Sequence, residues 1–168
     1  MSVRAFGAFS LIVSLFCLMA SAAKADLVWN QDTGWRIEGG VLSGVSGTEG
    51  HTALDLMNKA RAYEEIGSKG AALRRYKKVG KKYPASVYAA EAFYRSGKLY
   101  LSRKQYYKAF ENFIQVTARY PNTKHFNEII GEEYRIASAL LDGARNRIWG
   151  VIPGFKNRGR AIQYFELI

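Results

Sequence analysis

One cysteine, two histidines and three prolines in 168 residues exclude several kinds of protein at the outset. A lone cysteine, Cys17, forms no internal disulfide and anchors no cysteine-based metal site. His51 and His125 do not make a ligand motif, and no glycine-rich phosphate loop is present. No catalytic constellation, no metal site and no cofactor is therefore expected, and the chain does not read as an enzyme. The adjacent Glu132 and Glu133 read as a solvated pair on a helix. Acidic residues are scarce too: 14 stand against 25 lysines and arginines, a formal charge of +11. That excess favours anionic partners.

What is present begins with an apolar leader. Arg4 precedes an almost wholly apolar run from Ala5 to Ala20, and Ala23-Lys24-Ala25 is a small-x-small pattern followed by Asp26. This is the pattern of a secretory signal peptide cut after Ala25. An uncleaved anchor is the competing reading, since Ala5 to Ala23 approaches the roughly 20 residues that span a bilayer; the Ala-x-Ala site favours cleavage. Cleavage removes Cys17, Arg4 and Lys24, leaving no thiol and a formal charge of +9. Phe16 stands where a bacterial lipobox requires a small residue before its cysteine. For an exported chain the anionic partners are acidic protein segments or lipid headgroups, not nucleic acid.

Residues 26–51 form the next segment, a non-helical arm with a glycine-rich linker. Trp29 and Trp35 flank Asn30-Gln31-Asp32-Thr33-Gly34, and Gly39, Gly40, Gly44, Gly47 and Gly50 follow. Turn residues between two short apolar pieces predict a small hairpin or extended arm. Its tryptophans fit two roles, covering the open end of a helical array or entering a partner's pocket.

From residue 52 the period becomes helical. Leu56, Ala60 and Tyr63 share one face, and Ala72, Tyr76, Val79 and Tyr83 share a face of a second segment that Pro84 ends. A shift of 37 residues carries Leu56 onto Phe93, Ala60 onto Gly97, Tyr63 onto Tyr100, Ala72 onto Ala109, Tyr76 onto Phe113 and Tyr83-Pro84 onto Tyr120-Pro121. Repetition at this period marks an all-α solenoid of paired helices, in which small residues let backbones approach and aromatics fill the space beside them. Because the aromatics serve the core, they are not free to stack on bases.

These two copies resemble the tetratricopeptide signature. A third copy is expected after Pro121, with a long helix over 123–141 carrying Tyr134, Ser138 and Leu141 at its large, small and large positions. The segment 142–159 then interrupts the unit before Arg160, Ala161, Tyr164, Phe165 and Ile168 restart a helical face. Ile168 falls in mid-helix, so the repeat domain, 52–168 here, is expected to continue further.

A signal peptide, 37-residue units ending in Tyr-Pro and a long insertion inside the third unit together resemble the BamD family of outer-membrane β-barrel assembly factors. The resemblance implies a periplasmic scaffold at the inner face of the outer membrane, docking the barrel-forming assembly protein and touching unfolded barrel clients. The chain departs from the family in lacking a suitable lipidated cysteine and the later repeats. A Tol-Pal-associated cell-division coordinator, whose repeats also end in Tyr-Pro, is the neighbouring alternative; it lacks the insertion and carries a coiled coil absent here.

In such an array the first helix of each unit lines a concave groove. Counting from the signature, Leu54, Met57 and Arg61 point into it from the first unit, Glu91, Tyr94 and Lys98 from the second, and Arg135 from the third. Arg61 and Lys98 one repeat apart, beside Met57 and Tyr94, suit an extended peptide with a carboxylate and an aromatic side chain; the competing reading leaves both as ordinary solvated bases. The insertion offers Trp149 and Phe155 among Lys156, Arg158 and other bases. It suits a lipid headgroup layer or an acidic partner; alternatively Trp149, Ile152 and Phe155 tuck onto the long helix and only the bases are wet.

Overall fold

A computed structural model describes residues 26–38 and 48–168. The leader with Cys17 and the stretch 39–47 lie outside the described residues. The chain divides into two compact units, at Ser46 and Gly47.

In the first unit, β1 (Asp26–Asn30) and β2 (Gly34–Glu38) form an antiparallel hairpin in which Trp29 faces Trp35. The two rings lie 5.4 Å apart, tilted by 54°, a cross-strand aromatic pair of the kind that fixes register. Asn30 Oδ1 accepts the Asp32 N–H at 2.8 Å, and Gly34 closes the three-residue loop with φ +74°, a conformation glycine adopts without Cβ strain.

The second unit is helical. It comprises α1 (Thr48–Glu65), α2 (Lys69–Lys82), α3 (Ala89–Ser102), α4 (Tyr106–Arg119), α5 (Phe126–Leu141) and α6 (Arg158–Leu167). Each helix packs on the next in chain order, which is the pairing a helical solenoid requires. The first helix begins at Thr48, ahead of the expected boundary, and carries Gly50 and His51 within it. Ala53, Leu56, Met57 and Ala60 are all buried on one stripe of α1, the i, i+3, i+4, i+7 spacing of a core face.

The 37-residue repeat is visible in the helix ends. Tyr83 caps α2 with its N–H on the Val79 carbonyl, and Tyr120 caps α4 with its N–H on the Val116 carbonyl, at 2.9 and 2.8 Å. The following prolines disfavour further helix at both places. Tyr120 also donates its hydroxyl to the Pro84 carbonyl at 2.7 Å, so the Tyr-Pro of one unit ties back to that of the unit before. Gly97 lies directly against the Phe113 ring, where an added Cβ would collide with the ring edge. Gly80 stands likewise 2.7 Å from Phe93 by its would-be Cβ.

The third unit keeps the same 37-residue register rather than the one expected. Ile129, Glu133, Ile136 and Ala137 are buried, as are Ala92, Ser96, Leu99 and Tyr100 one period earlier. Tyr134 and Leu141 are exposed, so neither is the core residue that the sequence pattern suggested. By this register Tyr134 occupies the place of Gly97. It is tolerated because α6 is set back by the insertion and meets Tyr134 through Phe165, edge-on at 5.4 Å. Tyr164 secures α6 to the unit before, its ring stacked on Phe110 at 3.7 Å.

Candidate functional site

The first helices α1, α3 and α5 are linked by a band of charged side chains. Arg95 on α3 reaches Glu64 on α1 at 3.7 Å and Glu91 one turn away at 2.8 Å. Glu91 is buried and hydrogen-bonds Nε2 of His125, at the head of α5, at 3.0 Å. Tyr94 donates to Glu128 at 2.8 Å, and its ring lies flat on His125 at 3.9 Å. Lys98 holds Glu128 at 3.1 Å and Glu132 at 3.0 Å, and Arg135 closes the series on Glu132. Three of these links, Glu91 to His125, Tyr94 to Glu128 and Lys98 to Glu132, each span 34 residues. α3 thus meets α5 at a constant offset.

The electrostatics follow from this pairing. Burial alone would raise the Glu91 carboxyl, but the His125 hydrogen bond and the Arg95 charge outweigh it and hold Glu91 below the usual carboxylate range. Burial would lower the Lys98 ammonium; its bonds to Glu132 and Glu128 win and raise it. Burial raises the Tyr94 hydroxyl, and Glu128 beside it raises it further.

The expected groove residues fare unequally. Met57 is fully buried and offers no wall to a ligand; it belongs to the core stripe of α1. Tyr94 is nearly buried and its hydroxyl is engaged by Glu128. Arg61 pairs with Glu64 at 3.3 Å and Glu65 at 3.2 Å on its own helix, and Lys98 carries two carboxylates from α5. Neither cation is an ordinary solvated base. Arg135 is the most exposed of the set, with 69% of its side chain open. An anionic ligand group entering this band must exchange with a carboxylate already held there. The sequence reading missed Glu128 and Glu132, the acids that neutralise Lys98; the 34-residue offset is the signal that finds them.

Glu132 and Glu133 are both buried, not solvated. Glu132 is compensated by Lys98 and Arg135, whereas among the described residues Glu133 meets only the Thr117 hydroxyl, 3.4 Å away. Burial pushes the Glu133 carboxyl up to about 7, with the Thr117 bond opposing weakly. Because the folded value lies above the ordinary 4.5, the fold favours the protonated form. Its contribution is complete below pH 4.5 and is lost as pH rises through about 7. Glu133→Gln is expected to flatten this dependence and to exceed the parent in stability at pH 8 by on the order of 2 kcal/mol. Urea denaturation at pH 4 and pH 8 measures it.

The insertion is an ordered hairpin, β3 (Arg147–Ile148) paired with β4 (Ile152–Pro153). Its base and its turn are both fastened to the turn between α3 and α4 and the start of α4. Arg147 donates its N–H to the Lys104 carbonyl at 2.9 Å, Asn146 Oδ1 accepts the Tyr107 N–H at 3.1 Å, and Arg103 donates to the Trp149 carbonyl at 2.5 Å. The Gln105 amide, turned with its oxygen towards the loop, accepts the N–H groups of Trp149 (3.1 Å) and Gly150. Trp149, Phe155, Lys156 and Arg158 are all exposed. The alternative in which Trp149, Ile152 and Phe155 tuck onto the long helix is therefore not what the fold adopts.

Residues 56–86 and 91–123 each match the tetratricopeptide repeat family. Those two spans coincide with the α1–α2 and α3–α4 pairs. No curated protein and no solved structure matches the chain.

Proposed function

We propose, from the premise that this chain is a tetratricopeptide-repeat protein, that its helical unit is a periplasmic scaffold of the outer-membrane β-barrel assembly machinery. Tetratricopeptide repeats act as protein-binding scaffolds and are typically non-catalytic, and no catalytic family matches. The observation that carries the finer reading is the ordered insertion between the two helices of the third unit, joined to repeats that end in Tyr-Pro and to a leader ending in Ala-x-Ala. The partners are a barrel-forming assembly protein and extended segments of unfolded barrel clients. The band along α1, α3 and α5 is their contact surface, with Arg61, Lys98 and Arg135 supplying exchangeable cations.

Affinity capture from an outer-membrane fraction tests this reading. Recovery of a barrel-assembly protein is expected, and recovery of a Tol-Pal component in its place would transfer the scaffold to the cell-division alternative. For the band itself, the double variant Arg61→Gln, Lys98→Gln is expected to weaken binding of a barrel-protein C-terminal peptide about tenfold, the scale of one lost charge-assisted hydrogen bond. Unchanged affinity in a variant with parental circular dichroism would remove the band from the site.

A further inference from the structure

We infer that the insertion hairpin is a membrane-interface anchor whose exposed apolar side chains enter the headgroup layer of an anionic bilayer. Four observations converge on it. The hairpin is held at its base by hydrogen bonds to Lys104 and Tyr107 and at its turn by Arg103 and Gln105, which bond the backbone of Trp149 and Gly150, so the placement of its exposed side chains is fixed by the fold. Its exposed side chains are largely apolar: Trp149 is 71% exposed, Val151 74% and Phe155 93%, with Ile148 and Ile152 about half exposed.

The turn also carries backbone strain. Trp149 has φ +53° and Gly150 φ +83°, and the Val151 N–H returns to the Ile148 carbonyl at 3.2 Å, a β-turn with both central residues left-handed. Asparagine or glycine is the ordinary residue at such a first position, and a bulkier side chain there is strained. Tryptophan gains no burial in return. A strained, exposed indole points to a role outside the fold.

The charge around the hairpin is of one sign. Arg145, Arg147, Lys156 and Arg158 are exposed, and no acidic residue occurs between Gly143 and Phe165. Exposed apolar side chains with bases around them match the two terms of interfacial binding, apolar burial at the acyl boundary and attraction to anionic headgroups. Strands of two residues are far too short to span a bilayer, so the hairpin would lie in the interface. This surface is separate from the charged band, and its failure would leave the scaffold reading untouched.

The full chain carrying Trp29→Phe and Trp35→Phe makes Trp149 the sole reporter. With vesicles of phosphatidylethanolamine and phosphatidylglycerol, its emission is expected to shift to the blue and to be quenched by brominated acyl chains. Vesicles of phosphatidylcholine alone should give a much smaller change. Charge reversal of Arg147, Lys156 and Arg158 to Glu should weaken the Trp149 response at least about tenfold, since each base near such a surface contributes roughly 1 kcal/mol. Unchanged Trp149 emission while the chain sediments with vesicles would overturn the inference. So would an equal response to neutral and anionic lipid, or a blue shift produced by outer-membrane proteins and not by lipid.

Discussion

Gly97→Val is expected to remove about 3 kcal/mol of stability, much of what a marginally stable repeat domain has. Any Cβ at this position runs into the Phe113 ring, which is itself fully buried between the helices and has nowhere to retreat. The collision lies at the α3–α4 contact of the central unit, on which both neighbouring units depend. The glycine is therefore a packing requirement, although glycine inside a helix is unfavourable by about 1 kcal/mol relative to alanine. Gly131 on α5 makes the contrast. Nothing lies within 4 Å of a Cβ built there, so Gly131→Ala is expected to stabilise by up to about 1 kcal/mol. Urea denaturation of the two variants should move in opposite directions.

The second large effect belongs to Arg95. Arg95→Leu is expected to cost about 3 kcal/mol, because it strips Glu91, a buried carboxylate, of its main cation and leaves it the His125 imidazole. The same substitution breaks the link to Glu64 that joins α3 to α1. The double variant Glu91→Leu, Arg95→Leu should recover most of the loss, since a buried ion pair replaced on both sides is close to neutral. The coupling in this cycle, measured by urea unfolding at pH 7, separates the pair from the packing of the two stems. Holding Glu91 below its ordinary range also means that its contribution is present above about pH 4.5 and is lost as pH falls.

The architecture was legible in the sequence where single residue types carry geometric demands. Pro84 and Pro121 end helices because they must; Gly97 and Ala109 mark close approaches; Tyr83 and Tyr120 recur at one period. The hairpin around Trp29 and Trp35 was legible for the same reason, from its turn residues. Legibility failed where burial depends on partners distant in sequence. Glu132 and Glu133 carry no local sign of being buried, since Lys98 and Thr117 come from other helices.

Met57 is a different case. Counting groove positions from a signature placed it on the open face, while its own stripe with Ala53, Leu56 and Ala60 already gave the periodicity of a core residue. In the third unit a pattern of large and small residues suggested the wrong register, because Tyr134 stands where the earlier unit has Gly97 and the displaced α6 makes room for it. The form of the insertion was not legible either. Its turn rests on Trp149-Gly150, which lacks the usual asparagine or aspartate, and its docking rests on backbone groups of Lys104 and Tyr107 and the side chains of Arg103 and Gln105.

The central claim, that the face formed by α1, α3 and α5 receives an extended polypeptide, is tested most directly by amide NMR. The titrant is a peptide of about ten residues with alternating polar and apolar side chains, ending in phenylalanine with a free carboxylate. Shift changes are predicted to cluster around Arg61, Arg95, Lys98, Glu128 and Arg135 as Lys98 exchanges its glutamates for the peptide carboxylate. Saturable binding that maps to α2 and α4, or no shift change at millimolar peptide, would contradict it.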